Sequence, residues 1–391
     1  MRLLLICGAL AAGEYLASFV PQATAVWPAA AIAATIFGLF GYGWGAKWMG
    51  YAAVTLLGFA LFLFASQDLE QTYRMSPWMR GREWRTAHRQ EKQVGLAKEV
   101  KDDLSRRVGI GLAEDRESAS LARAILLGEK RSLPYRTKKL FIESGTMHVF
   151  AISGLHVMAI AEVLTFCLAL VLVPVRFAGL ASAPLLWGYV AMIGFTPSAV
   201  RAAMMATIMG AAPAFWRRAS GLRAWELTFL TVHVANPLMI TNVGNALSFA
   251  VMLAIVLAGD CCKSMTRWRQ SLLVTVAAWA TGVPIAAHIF GRVTPGGMIG
   301  NLILIAMAKV TVVSGALGVL TSYVSKTLAT HVNNLSALGI RAMVLAADGV
   351  SRLPGANFET GAWSLLTCIE WYAALALIGL LLRMISSRRT I

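Results

Sequence analysis

Four side chains able to do chemistry fall on one apolar stretch of the chain: His148, Ser153, His156 and Glu162. At about 100° per residue, His148, His156 and Glu162 share an arc of ~120° on a helix, with Ser153 just beyond its edge. Ionisable groups at membrane depth face a bundle interior or water, because lipid exposure costs several kcal/mol. The stripe is therefore expected to line a cavity or a packed polar seam. A metal site would want histidines about one helical turn apart, whereas His148 and His156 are eight positions apart, so no metal is expected. A nucleophilic Ser153 would need a base; His156 shares its helix, and His233 and His288 are the other candidates. Plain packing, with hydrogen bonds between helices, also accounts for these residues.

Which reading applies depends on the elements that must hold them. Hydrophobic residues make up 58% of the chain and charged residues only 14%, and the apolar residues come in long blocks. That composition marks an integral membrane protein. Runs of spanning character lie near 3–20, 26–46 and 49–66, then near 146–173, 177–195, 198–216, 225–240, 244–260, 270–290, 297–320 and 361–384. The segment 225–240 is short and ends at Asn236-Pro237, which suggests a broken helix. Residues 328–353 are amphipathic and read as an interfacial helix, as do 94–108 and 116–129. The fold class is an all-α polytopic integral membrane protein, with about 10–11 transmembrane helices plus amphipathic interfacial helices.

The organisation expected is three N-terminal spans over 1–66, a charged extracytoplasmic segment over 67–145, and a membrane domain over 146–391. Arg2, Lys47, Arg176, the Arg217/Arg218/Arg223 cluster and Lys263/Arg267/Arg269 all fall on one side in this arrangement, as the positive-inside rule requires. Much of the net charge of +16 is explained by that rule, and polyanion binding is the remaining explanation. Ala23-Thr24-Ala25 imitates a signal-peptide cleavage site, but Glu14 and the spans that follow favour an uncleaved first helix. The five cysteines show no C-x-x-C pair and no ligand spacing, so neither zinc nor a disulfide framework is expected.

Several segments in order resemble one family. Leu126-Leu127-Gly128-Glu129-Lys130 and Ser132-Leu133-Pro134 precede Phe141-Ile142-Glu143-Ser144-Gly145 and His148-Val149-Phe150-Ala151-Ile152-Ser153-Gly154-Leu155-His156-Val157. Gly194-Phe195-Thr196-Pro197-Ser198-Ala199-Val200-Arg201-Ala202 follows, then Asn236-Pro237-Leu238 with Asn242-Val243-Gly244-Asn245-Ala246-Leu247-Ser248-Phe249-Ala250, and finally Pro284 to Asn301 with Phe290-Gly291-Arg292-Val293. The set resembles the ComEC family of competence membrane channels, which move single-stranded DNA into bacteria. Phe150, Thr146-Met147 and the asparagines at 236, 242 and 245 depart from its pattern. The family's metallo-β-lactamase-like signature H-x-H-x-D-H is not present in the sequence, so no nuclease activity is carried over. Ala151-Ile152-Ser153-Gly154 is also superficially similar to the G-x-S-G of rhomboid proteases, with Ala151 where that family has glycine.

The resemblance implies a water-filled path through the inner membrane, because a strand with one charge per nucleotide cannot enter hydrocarbon. The residues expected along it or in its polar lining are His148, Ser153, His156, Glu162, Ser198, Arg201, Asn245 and Lys309. Arg201 and Lys309 are candidates for phosphate contact or for pairing with Glu162, and Glu226 is a further charge at membrane depth or at its border. Gly154, Gly244, Gly291, Pro197, Pro237 and Pro284 are expected as structural positions that break or join helices. Trp78 and Trp84 among Arg74, Arg80, Arg82 and Arg85 offer a stacking contact for a single strand. No phosphate-binding loop of the G-x-x-x-x-G-K-[ST] type occurs, so transport would draw on a partner ATPase, the proton gradient or pulling from inside. The partners implied are single-stranded DNA, the lipid bilayer, a DNA receptor, a cytoplasmic ATPase or nuclease, and further copies of the chain. No cofactor is expected, and the competing readings are an intramembrane serine hydrolase and a transporter of another anionic solute.

Overall fold

The structure is a computed structural model that describes residues 2–17, 95–112, 115–129, 133–150, 152–263 and 265–388. The spans foreseen at 26–46 and 49–66, the Arg/Trp stretch 67–93 and Ala23-Thr24-Ala25 lie outside the described residues. Among those described, secondary structure is helical apart from one pair of two-residue strands. Five helices are long and apolar enough to cross a membrane: those within Val175–Met192, Pro197–Phe215, Val243–Cys261, Arg267–Phe290 and Gly296–Thr321. The all-α membrane architecture read from composition is thus present. The chain divides into two compact bodies, Met1–Arg106 with Val157–Phe249, and Arg107–His156 with Ala250–Ile391.

The helices are α1 (Arg2–Ala17), α2 (Gly95–Val108), α3 (Arg116–Leu127), α4 (Tyr135–Glu143), α5 (Gly154–Leu170), α6 (Val175–Met192) and α7 (Pro197–Ala211). There follow α8 (Gly221–Ala235), α9 (Val243–Cys261), α10 (Arg267–Phe290), α11 (Gly296–Thr321), α12 (Lys326–Ser351) and α13 (Leu365–Arg388).

In the first body, α6 and α7 form a tight pair. A Cβ built on Gly179 would lie 2.7 Å from the Gly210 carbonyl oxygen, so only glycine lets these backbones meet. The turn between them runs through Gly194 and Phe195, both at positive φ (82° and 49°), and Pro197 opens α7 at a position where no N–H is needed. α8 starts at the Ser220 cap and ends at Asn236. Pro237 then begins a 3₁₀ turn, Pro237–Thr241, before α9. The break foreseen at Asn236-Pro237 is present, and the helices on either side of it, α8 and α9, pack side by side, the Trp225 indole donating to the Phe249 carbonyl at 2.9 Å.

In the second body, α11 and α12 form a long antiparallel hairpin closed by a turn at residues 322–325. Its register is fixed by small residues. The Gly318 backbone meets the Asn333 side chain, Gly339 meets Thr311, Gly300 meets Val350, and the Gly296 N–H donates to the Ala356 carbonyl at 3.0 Å. Beyond that end, Arg292–Val293 pairs antiparallel with Phe358–Glu359. The reading of 328–353 as an interfacial helix is therefore corrected: this segment runs alongside α11, one of the five long apolar helices, over that helix's full length. Sequence pattern misplaced it because its polar residues face either the seam or the surface, which lowers its mean hydropathy below that of a lipid-facing span.

A second correction concerns 116–129. α3 is not a surface helix, since Leu121, Ala122, Ala124 and Ile125 are at most 1% exposed and Leu126 packs against Gly315 of α11. α3 begins at Asp115, which accepts from the Ser118 N–H, and stops at Gly128 in the left-handed region. Its length of 12 residues is too short to register as a span, although it is buried against a helix that is one.

Candidate functional site

The predicted stripe of His148, Ser153, His156 and Glu162 on one continuous helix does not form. α4 ends at Gly145 (φ 71°), Met147–Phe150 makes a separate 3₁₀ turn, and α5 starts only at Gly154. The side chain of Phe150 explains part of the break, because it folds back onto Phe141 edge-to-face at 4.6 Å. His148 is thus exposed on the turn, and Glu162 is exposed two helical turns into α5.

Ser153 and His156 do meet. His156 Nδ1 accepts the Ser153 backbone N–H at 3.2 Å and lies 2.9 Å from Ser153 Oγ. An atom that accepts an amide N–H carries no proton, so the ring hydrogen belongs on Nε2. This is half of a capping box, with histidine at the third helical position where glutamate or glutamine is usual, while the His156 N–H donates to the Ser153 carbonyl. Nε2 is buried without a hydrogen-bond partner among the described residues. A nucleophilic serine would need a third group there to orient its base, so the contact reads as the start of α5.

The polar centre of the first body lies instead around Arg201, which is only 6% exposed. Its Nη1 donates to Asn245 Oδ1 at 2.8 Å, its Nε to Ser248 Oγ at 3.1 Å and its Nη2 to the Gly244 carbonyl at 3.3 Å. The Phe249 ring lies 5.4 Å from the guanidinium carbon. Asn245 continues the network: its Nδ2 donates to His233 Nε2 at 3.2 Å and to the Met239 carbonyl at 3.0 Å. His233 Nδ1 in turn donates to the Phe229 carbonyl at 2.9 Å. The backbone N–H of Asn245 donates to Asn242 Oδ1, the cap of α9. The broken helix thereby supplies each acceptor, and Trp225, Phe229 and Phe249 pack around it.

Electrostatically this is an unusual place for a cation. Among the described residues no carboxylate lies within ion-pair distance of Arg201, so the expected pairing with Glu162 is not made. Its three acceptors belong to the first turns of α9, the positive end of that helix dipole. Three hydrogen bonds also leave two of the five guanidinium N–H groups without one among the described residues. Besides Ser153 and His156, the structure brings together Arg201, Asn245 and Gly244 of the predicted residues. His233 and Ser248 complete the set unforeseen; their signal was the spacing Asn242, Asn245, Ser248 along the start of one helix.

The other predicted positions are separate from this network. Ser198 is the second residue of α7, partly exposed. Lys309 is exposed on α11, where with Ser271, Thr275 and Asn301 it borders an elongated groove of about 670 Å³. Glu226 is buried on α8, with Oε1 lacking a hydrogen-bond partner among the described residues. Of the structural positions, Gly154, Pro197 and Pro237 start helices or turns, Gly244 lends its carbonyl to Arg201, Pro284 lies inside α10, and Gly291 (φ 63°) ends it. No group of three or more metal-ligating side chains occurs among the described residues.

Paired spanning helices, a helix broken at a proline and an arginine sealed among neutral acceptors define a polytopic membrane protein with a polar core. Residues 125–385, about two thirds of the chain, match the family described as Competence protein, and the chain belongs to that family. It is 24% identical over 201 residues to ComE operon protein 3 of Bacillus subtilis (strain 168). That alignment takes in 51% of this chain and 26% of the relative, so the chain spans about a quarter of that protein's length. No solved structure matches. The resemblance to competence membrane proteins read from the ordered motifs is borne out.

Proposed function

We propose that this protein forms the bacterial inner-membrane channel through which single-stranded DNA passes during natural transformation. The observation that carries the reading is the match of residues 125–385 to the Competence family over a stretch holding all five long apolar helices. A strand with one charge per nucleotide needs a positive, hydrated surface at membrane depth. Arg201, buried at the positive end of α9 with no carboxylate within ion-pair distance among the described residues, adds a positive potential from beneath such a surface. The protein acts without chemistry of its own in this role, and a DNA receptor and a cytoplasmic ATPase or nuclease would deliver and draw in the strand.

The test is uptake in the native host. With the gene deleted, labelled duplex DNA accumulates outside the cell and the nuclease-protected internal fraction disappears. Undiminished internal DNA in the deletion strain would overturn the proposal.

A further inference from the structure

The stretch that carries Arg107 to Gly145 runs from one end of the α11–α12 hairpin to the other. At the closed end, Arg107 Nη1 donates to Ser322 Oγ at 3.0 Å, and Asn333 Nδ2 donates to the carbonyls of Arg107 and Ile110. At the open end, Gly145 abuts Thr294 and Gly297, and Thr146 abuts Gly300. Gly297 and Thr321 are 24 residues apart on α11, roughly 36 Å at 1.5 Å per residue. That exceeds the ~30 Å thickness of a hydrocarbon core. If α11 crosses the membrane, the stretch from Arg107 to Gly145 is held alongside it.

The depth of α4 follows from two contacts. Arg341 lies 15 residues from the start of α12 and ten from its end, and its guanidinium donates to Asp115 Oδ2 at 2.7 Å. Two residues on, Glu117 Oε1 accepts from Thr137 of α4 at 2.7 Å. Thr137 precedes Gly145 by eight residues, so it is held about 12 Å from the open end, roughly a third of the way along the hairpin. On either side of it, Arg136 and Lys138 are exposed, and Tyr135 is 81% exposed. Among the described residues neither cation has a carboxylate within ion-pair distance. Two cations facing hydrocarbon at that depth would cost several kcal/mol each.

We infer that the face of α4 bearing Tyr135, Arg136 and Lys138 is a wall of the water-filled path and contacts the phosphodiester backbone and bases of the passing single strand. Two cations without a carboxylate within ion-pair distance among the described residues, beside an exposed aromatic ring and the Lys139–Glu143 pair, are the elements of sequence-independent single-strand binding, charge for the backbone and a ring for stacking. The identity of the polyanion rests on the function proposed above. The aqueous face does not.

The experiment uses the full chain in membranes of its host, carrying Arg136→Cys, Lys138→Cys or, as a lipid-facing control, Ile303→Cys. Each is treated with a permanently charged methanethiosulfonate, and modification at the new position is read by mass spectrometry. Positions 136 and 138 react, position 303 does not, and a short oligodeoxythymidine slows the first two several-fold. No reaction at 136 and 138 overturns the aqueous wall, whether lipid, the N-terminal helices or a second copy covers it. Reaction that the oligonucleotide leaves unchanged, in a host whose wild-type protein takes up DNA, overturns the strand contact while the proposed function stands. A wild type that takes up no DNA sinks that function, and the reactivity of 136 and 138 still decides the aqueous face. In uptake, Arg136→Glu with Lys138→Glu lowers internal DNA at least tenfold, whereas Arg136→Lys with Lys138→Arg retains it; equal loss in both pairs would overturn the charge role.

Discussion

Asn245 gives its amide nitrogen to His233 and its amide oxygen to Arg201, so the three side chains share one fixed direction of hydrogen bonding. Rotating the amide would turn an N–H toward a guanidinium and an oxygen toward the Met239 carbonyl, leaving like groups face to face. The chain of bonds ties α7, α8 and α9 together beside the turn at Pro237.

Asn245→Leu therefore strands a guanidinium N–H and an imidazole nitrogen in a buried site. Each orphaned group costs about 1–3 kcal/mol, and thermal unfolding in detergent is expected to show a clear loss. A variant as stable as the parent would mean that water enters and replaces the amide.

Arg201→Ala is expected to abolish uptake while the protein remains in the membrane. Arg201→Lys keeps the charge but cannot reach three acceptors with a planar fork, so internal DNA falls by about tenfold, the effect of roughly 1.4 kcal/mol. Wild-type transformation by Arg201→Ala would remove Arg201 from any path and leave it a structural tie.

Gly179→Ala places a Cβ against the Gly210 backbone, where no side chain can move aside. Overpacking of this kind costs about 1–3 kcal/mol. Gly188→Ala on the same helix meets nothing within 4 Å and serves as the control. Equal stability of the two variants would contradict the close crossing of α6 and α7.

Ser153→Ala is expected to leave uptake intact, because the Ser153 backbone N–H keeps its bond to His156. His156→Ala removes that acceptor and should cost about 0.5–2 kcal/mol, the range of a lost helix cap. Complete loss of function in a folded Ser153→Ala protein would revive the nucleophile reading.

Binding of oligodeoxythymidine to the detergent-purified protein should weaken steeply as salt rises. For single strands the slope of log K against log salt is about −0.7 per phosphate neutralised. Affinity that ignores salt would argue against phosphate contact.

How much of this was legible beforehand follows from what surrounds each residue. The five long spans are visible because lipid demands continuous apolar sequence. The Arg201 segment was legible through its neighbours, and Asn236-Pro237 through proline's missing N–H. α12 and α3 were misplaced because both bury much of their surface against other helices instead of lipid, a distinction hydropathy does not draw. The helix expected through His148 was lost to Phe150 packing on Phe141, a tertiary contact with no periodic signature. His233 attracted attention only as a base, since nothing in its own helix announces a partner at Asn245.

The four-residue turn between α11 and α12 also bears on how the protein is made. With Asn333, Asn334, Arg341 and Asp348 along its length, α12 is too polar to leave the translocon sideways on its own merits. α11 can do so, and it offers Gly318, Ser314 and Thr311 as the surface on which α12 is sealed. The two helices are therefore expected to insert together, as one hairpin.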